Sequence, residues 1–387
     1  MFALIAKYHV IMKSFLLSIL LLITSYSCTN PKSSDFQSKI VNFGDVKVYK
    51  TSDLISEIDF VKLETNSSSH FGKIDQILIY NNKIYILDSY PGPPSVFVFS
   101  IDGKFINKIM NVGNGPGEYL SADCFGIDKN KGLILLLDRQ NNIIVRYRID
   151  DLSFVDKLKI QTPTPASFIY NPAENLYYYY YSLKDNNNKH IVITTEKGTT
   201  VNKLIDPEPS GRIIHGCQCN FYHFEDNICV FPYFSDKIYT VNKDTAFVKY
   251  ELLFGDNKMP DQDLFINNSS SGAIMKEMMS GDEGRIRMLV PYELADQLLV
   301  KYYIKKDLFI GVWHKSKNQG TNFKYSDLTD DVGIGGKFPL PIGVFKDKFI
   351  GVLNTYDIDT SCVKNDQLKL HIKNISDSDN PILVFFK

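Results

Sequence analysis

The sequence predicts an all-β fold, a six-bladed β-propeller of four-stranded antiparallel blades. Short hydrophobic strands alternate with turn residues along most of the chain. One pattern of strands and turns is repeated: a strand that ends in Asp88 has a counterpart that ends in Asp138, 50 positions later. A repeat of roughly 40–50 residues made only of strands is typical of a propeller blade.

Six hairpins predict the six blades. In each hairpin, two hydrophobic stretches flank a short turn rich in Asn, Asp, Lys or Gly, which are residues that favour tight turns. The six turns lie at 81–82, 128–132, 171–175, 226–227, 305–307 and 346–348.

Two further hydrophobic strands have no blade of their own, at 59–63 and at 382–386. Unpaired strand edges promote aggregation, so a closed ring has to pair them. We therefore expect the two strands to share the last blade, so that the N- and C-terminal strands close the ring together. The propeller is expected to span residues 57–387.

One segment interrupts this rhythm, at 255–283, between the fourth and fifth blades. It is first polar and then helix-prone, with the run Ala273 to Met279. We predict an insertion there. Two alternatives stay open for it, a cap over one mouth of the channel or a loosely packed loop.

The region from Glu57 to Tyr147 resembles a known family. A strand ending in Asp, a second strand, Asp102-Gly103-Lys104-Phe105 and the loop 113–119 (Gly-Asn-Gly-Pro-Gly-Glu-Tyr) follow one another. This order resembles the NHL-type repeat and, more closely, the six-bladed propeller lipoproteins of Gram-negative anaerobic bacteria. Beyond Gln161 only the rhythm of strands matches. The resemblance implies a propeller on a lipid anchor, and it offers no catalytic residues to carry over.

Composition limits the choice of partner. The chain has 387 residues, 44% of them hydrophobic, and its 43 basic and 44 acidic residues give a formal net charge of −1. Proteins that bind nucleic acid neutralise phosphates with an excess of Lys and Arg. This chain has no such excess, so nucleic acid is not an expected partner.

The N-terminus has the features of a lipoprotein signal peptide, residues 1–27, with Met12 as a possible true start. Lys13 precedes the apolar run 15–23, which is too short to span a bilayer, and Ser25-Tyr26-Ser27-Cys28 follows. We expect cleavage before Cys28 and attachment of lipid to it, with an uncleaved membrane anchor as the alternative. The expected location is the cell envelope of a Gram-negative bacterium, as an outer-membrane lipoprotein on the periplasmic or surface side. Residues 28–56 are read as a polar tether and lead-in.

One group of residues is a candidate metal-binding site. His215, Cys217, Cys219 and His223 could supply two nitrogen and two sulfur ligands to zinc. Their spacing matches no standard zinc site, because alternate residues of a strand are about 7 Å apart. A disulfide involving Cys217, Cys219 or Cys229, or buried free thiols, are the alternatives. We predict no bound metal and no cofactor.

Four other residues are candidates for ligand contact because each lies at a strand end. They are Asp88, Asp138, Trp313 and His314. An Asp at a strand end is also a common turn residue that accepts backbone N–H bonds. The glycines of 113–119 are expected to let the backbone cross between blades, and outward-facing rings of Tyr177 to Tyr181 could stack on sugars.

These features favour a binding or scaffolding module, with a ligand at the mouth of the central channel. The membrane, through the N-terminal lipid, and a glycan, peptide or envelope protein are the expected partners. The alternative is an NHL-like propeller enzyme, a lyase or hydrolase with a metal in the channel. No catalytic constellation can be assembled from local signals, and fold alone does not decide function.

Overall fold

The computed structural model describes residues 38–181, 189–206, 219–267, 270–280 and 285–387. Within these ranges the chain forms six β-sheets, which are the blades of a propeller around a central channel. The predicted fold class is confirmed.

The strands are numbered in chain order. Two precede the first complete blade, β1 (Lys39–Asn42) and β2 (Ile58–Lys62). Blade one contains β3 to β6, at Gln76–Tyr80, Lys83–Asp88, Ser95–Ser100 and Phe105–Ile109. Blade two contains β7 to β10, at Cys124–Asp128, Leu133–Asp138, Ile143–Arg148 and Phe154–Lys159. Blade three contains β11 to β14, at Ser167–Asn171, Leu176–Tyr180, Ile191–Thr195 and Thr200–Leu204.

Blade four contains β15 to β18, at Phe221–Phe224, Asn227–Val230, Lys237–Val241 and Ala246–Leu253. Blade five contains β19 to β22, at Ile286–Glu293, Gln297–Ile304, Asp307–His314 and Gln319–Lys324. Blade six contains β23 to β25, at Pro341–Phe345, Lys348–Leu353 and Ile382–Phe386, with β2 as its fourth strand. The described α-helices are α1 (Gln262–Asn267), α2 (Ser271–Ser280) and α3 (Asp366–His371), and short 3-10 helices lie at Thr51–Asp53, Tyr325–Asp327 and Thr355–Asp357.

The fifth predicted hairpin is formed by different strands of its blade than the other five hairpins. The other turns join the first and second strands, whereas 305–306 joins β20 to β21, the second and third strands. The innermost strand β19 was missed because Arg287 and Pro291 interrupt its hydrophobic pattern. An innermost strand is an edge, and proline is tolerated on edges because no ladder bond needs its nitrogen.

The ring is closed as predicted. Strand β2 pairs antiparallel with β25, with Phe60 opposite Val384. Strand β25 also pairs with β24, so the C-terminal strand lies inside blade six and the N-terminal strand covers its outer edge. The first strands of neighbouring blades contact each other from β3 through β7 and β11 to β15, and from β19 through β23 back to β3.

The folded unit begins earlier than the expected boundary at residue 57. Strand β1 pairs in parallel with β18, on the outer edge of blade four, with Val41 opposite Leu252. Val41 and Phe43 are buried, and Lys47 donates its backbone N–H to Asn322 O at 2.8 Å. The segment from Ser38 therefore covers the outer side of blades four and five.

The core is divided among the interfaces between blades. The second and third strands are buried on both faces, and Ile134 to Leu137 have no exposed surface. Burying a Leu or Ile side chain stabilises the fold by about 1.5–3 kcal/mol. Strands buried on both faces lose the alternation of polar and apolar residues, which explains their continuous hydrophobic runs.

The insertion between blades four and five contains α1 and α2. Leu264 and Phe265 of α1 and Ile274 and Met278 of α2 are buried in the cluster between blades three and four. The ring of Phe265 lies 5.1 Å from that of Phe234, between β16 and β17. The described part of the insertion is thus packed on the propeller.

The two ends of the channel differ in their connections. At one end, called the short-turn end, first strands lead to second strands and third to fourth, and the longest connection is 149–153. At the other end, the long-loop end, second strands lead to third strands and one blade leads to the next. Connections there include 254–285 and 354–381. No helix among the described residues is long and apolar enough to cross a membrane.

Candidate functional site

The four candidate ligand residues lie at opposite ends of the propeller. Asp88 and Asp138 end second strands, β4 and β8, and lie at the long-loop end. Trp313 and His314 end the third strand β21 and lie at the short-turn end. The structure therefore brings the first two to one end of the channel and does not join them with the second two.

Asp138 is completely buried and organises the connection into its blade. Its Oδ2 accepts the Leu120 N–H at 2.9 Å and the Asn141 side-chain amide at 2.8 Å. Its Oδ1 accepts the N–H groups of Ser121 and Asn141 and the Ser121 hydroxyl. Both oxygens are occupied by donors of the protein itself, as the turn interpretation of a strand-end Asp implies.

Asp88 occupies the equivalent position in blade one but is bonded less completely. Its Oδ2 accepts the Gly72 N–H at 2.7 Å, while Oδ1 is buried with no hydrogen-bond partner in the described part of the chain. Burial raises the pKa of the Asp88 carboxyl and the neighbouring Asp75 adds to the rise, although the Gly72 bond opposes it. Of the predicted candidates, Asp88 is the carboxylate with unused hydrogen-bonding capacity.

A second repeated carboxylate was missed from the sequence. Asp75 and Asp123 immediately precede the innermost strands β3 and β7, 48 positions apart. Asp75 accepts the Ser89 N–H and hydroxyl, and Asp123 lies 3.7 Å from the Arg139 guanidinium. The 48-residue spacing was the available signal. In both blade one and blade two, one Asp directly precedes the first strand and another Asp ends the second strand.

The glycine loop 113–119 joins blade one to blade two, as expected. The Tyr119 hydroxyl donates to Pro94 O at 2.7 Å, and the Tyr147 hydroxyl donates to Gly117 O at 2.7 Å. Gly117 has a φ of +72°, and a Cβ there would lie 2.9 Å from Phe154. The glycine is required by the close approach of the two blades.

Trp313 is part of the core between blades four and five. Its ring is 2% exposed and meets Tyr250 edge-on at 5.6 Å, with Lys39 Nζ 4.5 Å from the ring centre. His314 is half-buried, and burial together with Lys317 lowers the pKa of its imidazole.

A buried cluster of charged residues also lies at the short-turn end, around Glu293. Its carboxylate is fully buried and accepts bonds from Tyr222 at 2.8 Å, Tyr250 at 2.7 Å, Lys249 at 2.8 Å and Lys315 at 2.6 Å. Blade four supplies Tyr222, Lys249 and Tyr250, while blade five supplies the other two residues. The cluster therefore links two neighbouring blades.

The lysines decide the charge of Glu293. Burial alone would raise the pKa of its carboxyl, but Lys249 and Lys315 outweigh that effect and hold the pKa below its ordinary value of 4.5. Both ammonium groups also lie over the Phe224 ring, at 3.9 and 4.0 Å from its centre. Such contacts stabilise a partly desolvated cation. A carboxylate with four donors has no free lone pair for a substrate, so this cluster serves the fold.

Two of the four residues in the zinc hypothesis, His215 and Cys217, lie outside the described residues. Cys219 contacts Cys124, whereas His223 is an exposed residue of β15 beside the channel. Desolvation by the surrounding blades and the charge of Lys129 lower the pKa of the His223 imidazole. Among the described residues, no three His, Cys, Asp or Glu side chains are grouped as metal ligands.

The sugar-stacking hypothesis for the tyrosine run is wrong. Tyr177 to Tyr181 are all buried, the most exposed at 5%. Tyr177, Tyr179 and Tyr181 pack between blades two and three, and Tyr178 and Tyr180 pack between blades three and four. A second strand has a neighbouring blade on each face, so neither face is available to a sugar.

Apolar and aromatic residues predominate on the six innermost strands, although His223 is exposed and Gln76 and Arg287 are partly exposed. Their partly exposed positions include Leu78, Ile127, Ile169, Val290 and Val344. The two acidic residues of these six strands, Asp128 and Glu293, are 2% and 3% exposed and bonded within the protein. The wall formed by these strands thus lacks an accessible carboxylate.

The fold and this channel define the class of protein, a six-bladed β-propeller. The chain belongs to the DUF4934 family, described as a domain of unknown function, whose model matches residues 38–387. No curated protein matches the chain.

Two solved structures from Bacteroides are similar in fold. One is a Bacteroides fragilis protein named "putative exported protein", with a TM-score of 0.81 and 22% identity, over 90% of this chain and 99% of that one. The other is a member of the duf4221 family from Bacteroides vulgatus, with a TM-score of 0.52 and 9% identity, over 89% of this chain and 98% of that one. At these identities the likeness establishes the fold alone.

Proposed function

We propose that the protein is an exported, lipid-anchored propeller that binds a ligand at the long-loop end of its channel. The observation that carries this proposal is the unequal distribution of connections: 254–285 and 354–381 lie at that end, whereas no turn at the other end is longer than 149–153. Long loops on a rigid scaffold commonly carry binding residues, because their sequence can vary without loss of the core. The turns at the opposite end are short, so they offer few residues that could form a binding surface.

Binding is favoured over catalysis by the chemistry of the innermost strands. A hydrolase or lyase needs an accessible acid, base or metal ligand near its substrate. The carboxylates of these strands are buried and occupied, and the partly exposed positions other than His223 and Arg287 are largely apolar. An apolar wall with a few polar groups at its mouth suits recognition of a glycan, a peptide or an envelope protein.

Export and anchoring are supported by the N-terminal sequence and by the name of the Bacteroides fragilis relative. The NHL-type lipoprotein resemblance adds to this support. The expected product is a chain that begins at Cys28, with lipid on that cysteine and the propeller held at the outer membrane. Mass spectrometry of the membrane fraction should find an acylated Cys28, and Cys28→Ala should release the protein. An intact segment 12–27 in the mature protein would contradict anchoring through Cys28.

The binding proposal is tested with the full mature chain against glycan and peptide arrays, followed by titration of each hit. Two variants alter the long-loop end, Tyr90→Ala on an exposed loop tyrosine and Met279→Asp on α2. Two control variants alter the short-turn end, Tyr80→Ala and His223→Ala, and their melting temperatures are measured because Tyr80 packs against the core between blades one and two. We expect hits to be weakened at least tenfold by the first pair and unchanged by the second. Turnover of a hit that is lost in His223→Ala would instead support the enzyme alternative.

A further inference from the structure

We propose that Cys124 and Cys219 form a disulfide that links blade two to blade four across the start of blade three. In the structure the two residues are free thiols that contact each other, on chain segments 95 positions apart. Cys124 begins β7, and Cys219 directly precedes β15. This pairing is independent of the ligand-binding proposal.

One backbone atom fixes the position of both sulfurs. Cys124 Sγ lies 3.6 Å from Phe168 O, and Cys219 Sγ lies 3.8 Å from the same oxygen. Phe168 belongs to β11, the innermost strand between the two cysteine-bearing segments. Both sulfurs therefore lie beside the same residue of blade three. Strand β7 positions one of them, and the residues that lead into β15 position the other.

The surroundings favour a bond between these two thiols over other pairings. Cys124 is 1% exposed and packs in the core between blades two and three, and Cys219 is a partly buried neighbour of that core. Cys229 lies in another core, between blades four and five, with Lys249 Nζ at 3.6 Å. Cys362 is exposed and donates to Asp359 at 3.2 Å. Among the described cysteines, Cys124 and Cys219 are the two whose sulfurs meet.

The two thiols are suited to different roles in the reaction. The hydrogen bond from Cys124 lowers the pKa of the Cys219 thiol, and the same bond, with burial, raises the pKa of Cys124. Cys219 is therefore the better thiolate, and it is also the more accessible of the pair. Thiolates rather than thiols attack disulfides.

The chemistry requires a disulfide as oxidant, such as a thiol–disulfide oxidoreductase or an oxidised small thiol of the cell envelope. The Cys219 thiolate attacks the donor disulfide, which forms a mixed disulfide and releases one donor thiol. Cys124 then loses its proton and attacks the Cys219 sulfur, which releases the second donor thiol. Two protein thiols are oxidised by two electrons, and one donor disulfide is reduced to two thiols.

The test uses the full chain purified from the cell envelope, alkylated without reduction and digested with trypsin. We expect a cross-linked pair of peptides, 109–129 with Cys124 and 213–237 with Cys219, which separates into two masses after reduction. Because 213–237 also contains Cys217 and Cys229, fragmentation of the cross-linked pair locates the bond at Cys219. The same protein, reduced and then equilibrated with oxidised glutathione, should give the same cross-linked pair of peptides. Because this second experiment supplies its own oxidant, it remains informative if the protein is not exported.

Variants distinguish the pair from other cysteines. Cys219→Ala should leave Cys124 as a free thiol and lower the melting temperature of the oxidised protein by about 5 °C, since the bond closes a long loop. Cys362→Ala, at an exposed site, should change neither result. Alkylation of both Cys124 and Cys219 in the glutathione-treated protein would overturn the proposal. A cross-link from Cys219 to Cys217 or Cys229 would overturn it equally.

Discussion

The carboxylate of Glu293 in blade five accepts a hydrogen bond from the hydroxyl of Tyr222 in blade four, at 2.8 Å. The two residues belong to the innermost strands of their blades, so the bond joins the blades close to the channel. Lys249 and Lys315 bond to the same carboxylate, whose side chain is completely buried. The interface between blades four and five thus depends on a charge that is shielded from bulk solvent and paired within the protein.

Replacing Glu293 with glutamine should destabilise the propeller strongly. The variant leaves two ammonium groups partly buried without their counter-charge, and removal of one partner of a buried pair costs about 3–5 kcal/mol. Urea unfolding followed by tryptophan fluorescence is a direct measurement, because Trp313 packs against Tyr250 in the same interface. The matched control is Asp366→Asn, whose side chain is 93% exposed in its pair with Lys369. It should change the free energy of unfolding by less than about 0.5 kcal/mol.

The same cluster predicts a dependence of stability on pH. The pKa of Glu293 is lower in the folded protein than its ordinary value of 4.5. The unfolded chain therefore binds the proton more readily, and stability is lost as the pH falls. The contribution should be complete above about pH 4.5 and disappear as the pH falls through the folded pKa. A comparison of wild type with Glu293→Gln from pH 7 to pH 3 measures it. Equal pH dependence in both proteins would show that other carboxylates are responsible.

The two strand-end aspartates should respond differently to the same substitution. Both carboxylate oxygens of Asp138 accept hydrogen bonds from N–H groups. In Asp138→Asn an amide NH₂ group replaces one of these oxygens and cannot accept such a bond, so we expect the free energy of unfolding to fall by about 1–3 kcal/mol. Asp88→Asn can keep the bond from Gly72 and removes a buried charge whose pKa is already raised. Its stability at neutral pH should be unchanged or higher. Equal losses in both variants, measured by thermal unfolding, would contradict this difference.

Ring closure should depend on strand β25. Val384 has no exposed surface and is paired on both sides, with Phe60 and with Gly351. Val384→Asp places a charge inside blade six and should cost at least about 4 kcal/mol, with aggregation on heating. Leu370→Asp introduces the same charge at a position 67% exposed and should be tolerated. The two variants are compared by size-exclusion chromatography and thermal unfolding. Soluble, fully stable Val384→Asp would place closure elsewhere.

The sequence by itself determined the blades and the way the ring closes. Hydrophobic alternation and turn residues are local properties, and they identified five of the innermost hairpins and the pairing of 59–63 with 382–386. The sequence also indicated that the glycine loop around Gly117 connects two blades and that Asp88 and Asp138 are repeated at strand ends. These residues contact chain segments of their own blade or of the connection next to it, so local sequence patterns reflect their environment.

Only the tertiary structure decided which distant residues meet. It placed Trp313 at the opposite end from Asp88, buried the tyrosine run on both faces and brought Cys124 to Cys219. It also assembled Lys249, Tyr250, Glu293 and Lys315, which no spacing in the sequence connects. The physical reason is that each blade packs on two neighbours, so burial and charge pairing depend on surfaces supplied by other parts of the chain.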